Sequence, residues 1–263
     1  MAATYLDNIV EFHRQRVSKD ARNWKERAES LRYSGPSFID ALKNNPNVAV
    51  IAEVKRRSPS KGWINEDLDP SSLAQSYVTG GAGAISVLTD EKHFSGSVAD
   101  LSDVRGAVGV PILRKDFTLG ANDVLDCIEI GASAVLLIVA ALTQNELKAY
   151  FNLASEVGLD ALVEVHDEIE VQRAIEVGAT IIGINQRDLH SFAVDTERAA
   201  RVAGSLPSDV ISVCESGLKD LNDVENASNA GFDAVLIGET FASSPDPEGA
   251  VRALSSVKKS SNG

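Results

Sequence analysis

Charged and polar side chains stand at the ends of several apolar segments in this sequence. They are Glu53 and Lys55 in the first segment, Lys115 in the third, Glu164 in the fifth, Asn185 and Arg187 in the sixth, and Glu215 and Ser216 in the seventh. Carboxylates and ammonium groups that meet in one site can act as general acids and bases. Because an unpaired charge among apolar residues is costly, we expect these side chains to pair with one another or to act on a substrate.

The first segment carries two of these residues one position apart. Alternate residues of a strand point to the same side, so Glu53 and Lys55 are predicted to share a face while Val54 points the other way. A structural ion pair is the alternative interpretation of this pair. Charged residues that reach one edge from several segments favour a chemical role.

A second group of residues has the composition of a phosphate site. The sequence SPSKG (58–62) follows the first segment with hydroxyl groups, a lysine and a glycine, and Ser-Gly and Gly-Glu pairs follow the seventh and eighth. Glycines there let backbone N–H groups approach a phosphate at the start of a short helix. The candidate phosphate-binding residues are Ser58, Ser216, Gly217, Gly238 and Glu239.

Eight apolar, β-branched segments recur from residue 48 onward. They are VAVIAEVK (48–55), AISVLTD (84–90), VPILRKD (110–116), SAVLLIVA (133–140), ALVEVHD (161–167), TIIGINQRD (180–188), DVISVCES (209–216) and DAVLIGE (233–239). Since they are almost continuously apolar, they predict parallel strands buried on both faces. Amphipathic stretches such as NELKAYFNLASEVG (145–158) lie between them and predict helices.

Eight strand–helix repeats predict a (β/α)8 TIM barrel, since a doubly wound sheet more commonly uses fewer strands. Glycines before five of the segments suit helix C-caps that lead into strands; they are Gly83, Gly131, Gly158, Gly178 and Gly231. In such barrels the active site lies at the C-terminal ends of the strands. The candidate acid–base and phosphate-binding residues all fall at those ends.

Residues 1–47 precede the repeat and have helical patterns of their own. We expect an N-terminal helical extension that caps one end of a single barrel formed by residues 48–263. Ser37 with Asp40 has the spacing of a capping box, which predicts a short helix over SFIDALKNN.

Composition excludes several classes of protein. The 25 Lys and Arg residues against 38 Asp and Glu give a net charge of −13, which disfavours a nucleic-acid or membrane-surface partner. Two cysteines cannot form a disulfide scaffold, and no segment has the length of a membrane span or the pattern of a secretory signal. We expect a cytoplasmic enzyme, with a monomer as the favoured oligomeric state.

The histidines give no metal-binding signature. His13, His93, His166 and His190 lack metal-ligand spacing, and no HExxH or CxxC motif occurs. We therefore expect no metal site, and we interpret His166 as an ordinary polar histidine near the rim of the barrel.

Several of these segments resemble the strand signatures of the indole-3-glycerol-phosphate synthase family. The matching segments are IAEVKRRSPSKG (51–62), ISVLTDEKHFSGS (85–97), PILRKDF (111–117), LVEVH (162–166), GINQRDL (183–189), ESG (215–217) and LIGE (236–239). The resemblance implies ring closure of the phosphorylated, anthranilate-derived substrate 1-(2-carboxyphenylamino)-1-deoxyribulose 5-phosphate to indole-3-glycerol phosphate, with loss of carbon dioxide and water. It implies no cofactor and no metal.

The resemblance also implies a role for each candidate residue. Lys115 would be the general acid for ring closure, a task that suits a lysine with a lowered pKa, and Glu164 would assist proton transfer. Glu53 and Lys55 would orient the substrate and assist dehydration. Which carboxylate moves which proton stays open. Asn185 and Glu215 would hold polar atoms of the substrate, and the Arg187 guanidinium would meet its carboxylate.

Two alternatives remain at this stage. Phosphoribosylanthranilate isomerase is a similar phosphate-binding barrel, but it uses a cysteine base where this sequence has Glu53-Val54-Lys55. A catalytically dead barrel could also bind a phosphorylated metabolite as a regulator. Such a protein would be expected to lose at least one of Lys55, Lys115 and Glu164, and all three are present.

Overall fold

The computed structural model describes residues 4–58, 61–189, 191 and 193–260. Eight parallel strands form a closed barrel in chain order, and the last pairs with the first. They are β1 (Ala49–Val54), β4 (Ala84–Leu88), β5 (Ile112–Lys115), β6 (Ala134–Ile138), β7 (Asp160–Val165), β8 (Ile181–Asn185), β9 (Ile211–Glu215) and β10 (Ala234–Ile237). The predicted (β/α)8 TIM barrel is confirmed. The short strands β2 (Arg57–Ser58) and β3 (Gly62–Trp63) pair in the loop after β1.

Helices connect the barrel strands and cover them. They are α1 (Tyr5–Ser18), α2 (Trp24–Ser30), α3 (Phe38–Lys43), α4 (Pro70–Thr79), α5 (Glu91–Phe94), α6 (Val98–Ala107), α7 (Ala121–Glu129), α8 (Gln144–Glu156), α9 (Glu168–Glu176), α10 (Arg198–Ala203), α11 (Leu221–Asn229), α12 (Glu239–Ala242) and α13 (Pro247–Leu254). A 3-10 turn covers Val139–Ala141. None of the described helices is long and apolar enough to cross a bilayer.

Local chemistry explains where these helices begin and end. Helix α8 begins at Gln144 because Thr143 and Glu146 form a capping box, each side chain accepting from the backbone N–H of the other. Gly158 follows the helix with φ +81°, and three further predicted cap glycines also have positive φ. Gly83 is the exception, because the left-handed residue after α4 is Gly81.

The barrel strands are buried on both faces, which is why their sequences do not alternate. Every residue of β1, β4, β6, β8, β9 and β10 is buried. Hydrophobic side chains of the barrel and the surrounding helices form one continuous core. This core fixes the strand ends, and with them the side chains that project from the C-terminal edge.

The helices before β1 contact both ends of the barrel. At the C-terminal end of the strands, Arg14 of α1 donates hydrogen bonds to the Glu146 carboxylate and to the carbonyl of Ala141, which follows β6. At the opposite end, the Asp160 carboxylate at the start of β7 accepts hydrogen bonds from the backbone N–H groups of Phe38 and Ile39 in α3. The Ser37 hydroxyl accepts from the N–H of Asp40, which begins α3 as the sequence predicted.

Replacing His13 by alanine is expected to lower the free energy of unfolding by about 2–3 kcal/mol. His13 Nε2 lies 2.8 Å from the Asp90 carboxylate, and both side chains are buried. The change would leave part of that carboxylate without a partner, at the contact between α1 and the loop after β4. Urea denaturation checks the expectation. Gln15→Ala, at an exposed position of the same helix, should change stability by less than about 0.5 kcal/mol.

Candidate active site

A cavity of about 460 Å³ opens at the C-terminal ends of the barrel strands. All of the predicted site residues line it: Glu53, Lys55, Ser58, Lys115, Glu164, Asn185, Arg187, Glu215, Ser216, Gly217, Gly238 and Glu239. Apolar side chains, among them Phe94, Phe117 and Leu136, form other parts of the wall. A cavity with apolar walls and a few converging polar groups is typical of a small-molecule site.

Lys115 stands at the centre of the charged residues. Its Nζ atom lies 2.5 Å from Glu164 Oε2 and 2.8 Å from Glu215 Oε2, so β5, β7 and β9 each supply one group. Asn185 at the end of β8 donates its Nδ2 hydrogen to Glu164 Oε1 at 3.0 Å. Four strands therefore place one connected network at the floor of the cavity.

The pKa of Lys115 differs from the sequence expectation. Burial by itself would lower the pKa, but the nearby carboxylates, Glu164 first among them, raise it above that of an ordinary lysine. The expectation of a lowered pKa is wrong, because Lys115 faces two carboxyl groups at hydrogen-bond distance. A ligand must displace a carboxylate from Lys115 before the lysine can become a stronger acid.

The two carboxyl groups beside Lys115 have opposite pKa shifts. For Glu164, burial would raise the pKa, but Lys115 and then His166 lower it to about 2. Burial raises the pKa of Glu215 to about 7, with Lys115 opposing the shift and Glu164 adding to it. One carboxyl is therefore held ionised while its neighbour can carry a proton near neutral pH, which is the arrangement that acid–base chemistry needs.

Gly183 makes room for one of these carboxyl groups. A Cβ atom at this position of β8 would lie 1.9 Å from Glu215 Oε1. Within the described residues, Glu215 Oε1 is buried and has no hydrogen-bond partner. Gly183 is not among the site residues predicted from the sequence, although a glycine inside a strand is a known sign that another group approaches the backbone closely.

Glu53 and Lys55 form an ion pair at the end of β1. Lys55 Nζ lies 2.5 Å from Glu53 Oε1. Val54, the residue between them in the chain, is buried. The predicted shared face is therefore present, and both charged side chains line the cavity. Gly238 packs against this pair, since a Cβ atom there would lie 2.4 Å from Glu53 Oε1.

The candidate phosphate-binding residues line another part of the cavity wall. Ser216 and Gly217 have φ values of +67° and +79°, so the backbone turns sharply after β9. Gln186 Nε2 donates to the Ser216 carbonyl at 2.7 Å and holds this turn. A non-glycine residue with positive φ is strained, and such strain is concentrated at functional sites.

Two residues of the loop after β1, Ser58 and Lys61, line this part of the cavity. The Ser58 hydroxyl accepts from the Lys61 backbone N–H at 3.2 Å. The Lys61 side chain forms an ion pair with Glu239, the first residue of α12. Pro59 and Ser60 of the SPSKG segment lie outside the described residues. Arg187 follows β8 and lines the same cavity.

Two histidines come together, contrary to the expectation from their spacing. His13 Nε2 and His93 Nδ1 each lie 2.8 Å from Asp90 Oδ2, because α1 packs against the loop after β4. The three ligand atoms lie within 4.8 Å of one another and could hold a metal ion. Arg16 Nη2, 3.3 Å from His13 Nδ1, donates to that nitrogen, so His13 Nε2 carries the hydrogen that Asp90 accepts. This hydrogen bonding indicates a structural contact that joins α1 to the loop after β4. His190 lies outside the described residues.

Comparisons with known proteins identify the family. A family model described as indole-3-glycerol phosphate synthase matches residues 6–254. An indole-3-glycerol phosphate synthase from Chlorobium chlorochromatii is 45% identical over 242 residues, which are 90% of this chain and 94% of that protein. The enzyme of the same name from Mycobacteroides abscessus is 43% identical over 96% of this chain and 94% of its own length.

A solved structure supports the fold alone. The thiamine phosphate pyrophosphorylase from Pyrococcus furiosus superposes with a TM-score of 0.59 at 15% identity, covering 81% of this chain and 95% of that one. Its chemistry is not transferred, because the same barrel carries many activities. The sequence matches are far closer, and they show that the chain belongs to the indole-3-glycerol phosphate synthase family.

Proposed function

We propose that this chain catalyses the ring closure, decarboxylation and dehydration of 1-(2-carboxyphenylamino)-1-deoxyribulose 5-phosphate to indole-3-glycerol phosphate. The observation that carries the proposal is Lys115, held between Glu164 and Glu215 at the floor of a partly apolar cavity. The reaction needs an acid that faces a ketone oxygen and a base close by. These residues supply both, and the chemistry requires no cofactor.

Ring closure begins when the ketone oxygen of the substrate replaces a carboxylate at Lys115. The lysine then has one fewer negative neighbour, its pKa falls, and it protonates the oxygen while the aromatic carbon attacks. Glu215 is the carboxyl that leaves Lys115 in this proposal, since burial and the neighbouring Glu164 raise its pKa and favour its protonated form. Loss of carbon dioxide then restores the aromatic ring.

Dehydration requires a second acid and a base. The hydroxyl left by ring closure departs as water, and a proton leaves the new five-membered ring. Glu164 is the base in this proposal, because its carboxyl is ionised and Asn185 fixes its orientation. The pair of Lys55 and Glu53 orients the substrate and assists departure of the water.

The remaining residues bind the two ends of the substrate. Arg187 meets the carboxylate of the anthranilate part, for which a guanidinium fork is suited. The phosphate is held by hydroxyl and backbone N–H groups on the loops after β1, β9 and β10. They belong to Ser58, Ser216, Gly217, Gly238 and Glu239, and Glu239 contributes its backbone N–H group. Glu239 is paired with Lys61, and a phosphate would compete with Glu239 for that lysine.

Residues 1–47 act as a helical extension of one domain, and residues 48–263 form the barrel that carries the site. The protein acts in the cytoplasm as a monomer on a small molecule, without a nucleic-acid or membrane partner.

Mixing the purified protein with the ribulose phosphate substrate is expected to produce indole fluorescence. A fluorescence increase that is proportional to protein concentration, with release of one carbon dioxide per indole, supports the proposal. If calorimetry shows that the compound binds but no fluorescent product forms, the chain is a phosphometabolite-binding barrel instead of an enzyme.

A further inference from the structure

His166 stands between the active-site cavity and a second cavity of about 330 Å³. It follows β7 directly, two residues after Glu164, and its side chain is only 12% exposed. Leu189 lines both cavities, and His166 lines the second. The sequence interpretation of an ordinary polar histidine is incomplete, because this side chain reaches toward the catalytic network.

Glu170 fixes the orientation of the imidazole ring. Its Oε2 atom accepts from the backbone N–H of His166 at 2.7 Å and lies 3.0 Å from Nδ1 of the same residue. Because an ionised carboxylate can only accept, Nδ1 carries a hydrogen. The lone pair of the neutral ring is therefore on Nε2, on the side of Glu164.

The Nε2 atom of His166 is buried and has no hydrogen-bond partner among the described residues. It lies 3.8 Å from Glu164 Oε1, which is longer than a hydrogen bond and too short to admit a water between the two atoms. Buried polar atoms without partners are rare and call for an explanation. A small rotation of either side chain would bring the two atoms to hydrogen-bond distance.

Glu164 needs an exit for its proton. It is 1% exposed, and a bound substrate or product would cover it from the open side of the cavity. In the proposed reaction it removes a proton from the ring in every turnover. Its ionised form must be restored before the next one.

We propose that His166 acts through Glu164, and not on the substrate directly. It carries the proton of Glu164 to the second cavity and so keeps Glu164 in the ionised form that the reaction needs. The O–H bond of protonated Glu164 breaks, the proton binds Nε2, and the resulting imidazolium gives up its Nδ1 proton to Glu170 and then to water. Glu164 returns to the carboxylate, and exchange with water restores the first tautomer of the ring. This inference rests on the proposed function.

Two carboxylates beside the His166 ring, Glu164 and Glu170, favour its transient protonation. Other charged groups line the second cavity. Carboxylates face it from the loop after β7, from α9 and from the segment after β8, and guanidinium groups face it from α10. They are Glu164, Asp167, Glu168, Glu170, Asp188, Arg198 and Arg201. Burial lowers the pKa of His166, but Glu170 and Glu164 together raise it above that of an ordinary histidine.

His166→Ala is expected to lower kcat by about 10-fold or more while KM changes less than about twofold, because proton transfer is slowed and substrate binding is not affected. Added imidazole should restore much of the lost rate, and the solvent deuterium isotope effect on kcat should increase in the variant. If His166 had a purely structural role, kcat would fall in the variant and added imidazole would not restore it. That result, or an unchanged kcat, would overturn the proposal.

Glu168→Gln is the matched control, because Glu168 lines the same cavity and no hydrogen bond joins it to His166.

A second readout does not depend on turnover. In histidine-labelled protein, NMR titration of His166 should show a lower pKa in Glu164→Gln and an unchanged pKa in Glu168→Gln. If the pKa of His166 is the same in the two variants, His166 is not coupled to Glu164 and the proposal is disproved. Absence of indole from the unmodified protein would contradict the proposed function, and the NMR result would still decide the coupling.

Discussion

Lys115→Met is expected to lower kcat by about 10³-fold or more, while the Kd for the substrate changes by less than about tenfold. Methionine keeps much of the length of the side chain but cannot donate a proton or carry a charge. The ketone oxygen then develops negative charge without an acid beside it. Binding is affected less, because the phosphate-binding residues and Arg187 remain in place.

The removal of Lys115 also changes the two carboxyl groups that it joins. Without the lysine, burial raises the pKa of Glu164 and Glu215, and at least one of them becomes protonated at neutral pH. Protonation limits the loss of stability, so the variant should stay folded. Thermal denaturation and calorimetry with a non-reacting substrate analogue check folding and binding separately.

Lys148→Met provides the matched control, since Lys148 is exposed on α8 and does not line the cavity. Its kcat and Tm should equal those of the unmodified protein. If Lys115→Met loses substrate binding but retains its residual rate at saturation, Lys115 is a binding residue and another group is the acid.

The fold could be predicted from the sequence because its signal is repeated. Eight buried strands need eight apolar segments, and each predicted segment extends only one to three residues beyond the end of its strand. Glu164 at the end of β7 and Glu215 at the end of β9 could therefore be assigned to one edge without knowing any distance. Gly83 shows the limit, since a loop with several glycines does not indicate which one is left-handed.

The electrostatics of the site could not be predicted in the same way. The position of Lys115 follows from its strand, but the sign of its pKa shift depends on which carboxylates its Nζ atom reaches. Three strands set those distances together. The same holds for His13 and His93, which meet only because α1 packs on the loop after β4. Contacts between segments far apart in sequence leave no local pattern.

Glu164→Gln is expected to lower kcat by about 10²–10⁴-fold, since the proposed base is lost. The amide is also a poor structural replacement. Glu164 accepts from Lys115 at one oxygen and from Asn185 at the other, whereas glutamine has a single oxygen. One donor therefore faces the NH₂ group and loses its bond. Glu156→Gln, at an exposed position on α8, should leave kcat unchanged.

The same substitution predicts a pH effect with a definite sign. The negative charge of Glu164 helps to raise the pKa of Glu215 to about 7, so its removal lowers that pKa. In the unmodified protein, the pH dependence of kcat/KM should show a titration near neutral pH. In Glu164→Gln this titration should move to lower pH, because Glu215 then keeps Lys115 as its charged partner and has no like charge beside it. A titration that stays near pH 7 would mean that burial alone sets the pKa of Glu215, and the two carboxyl groups would then act independently.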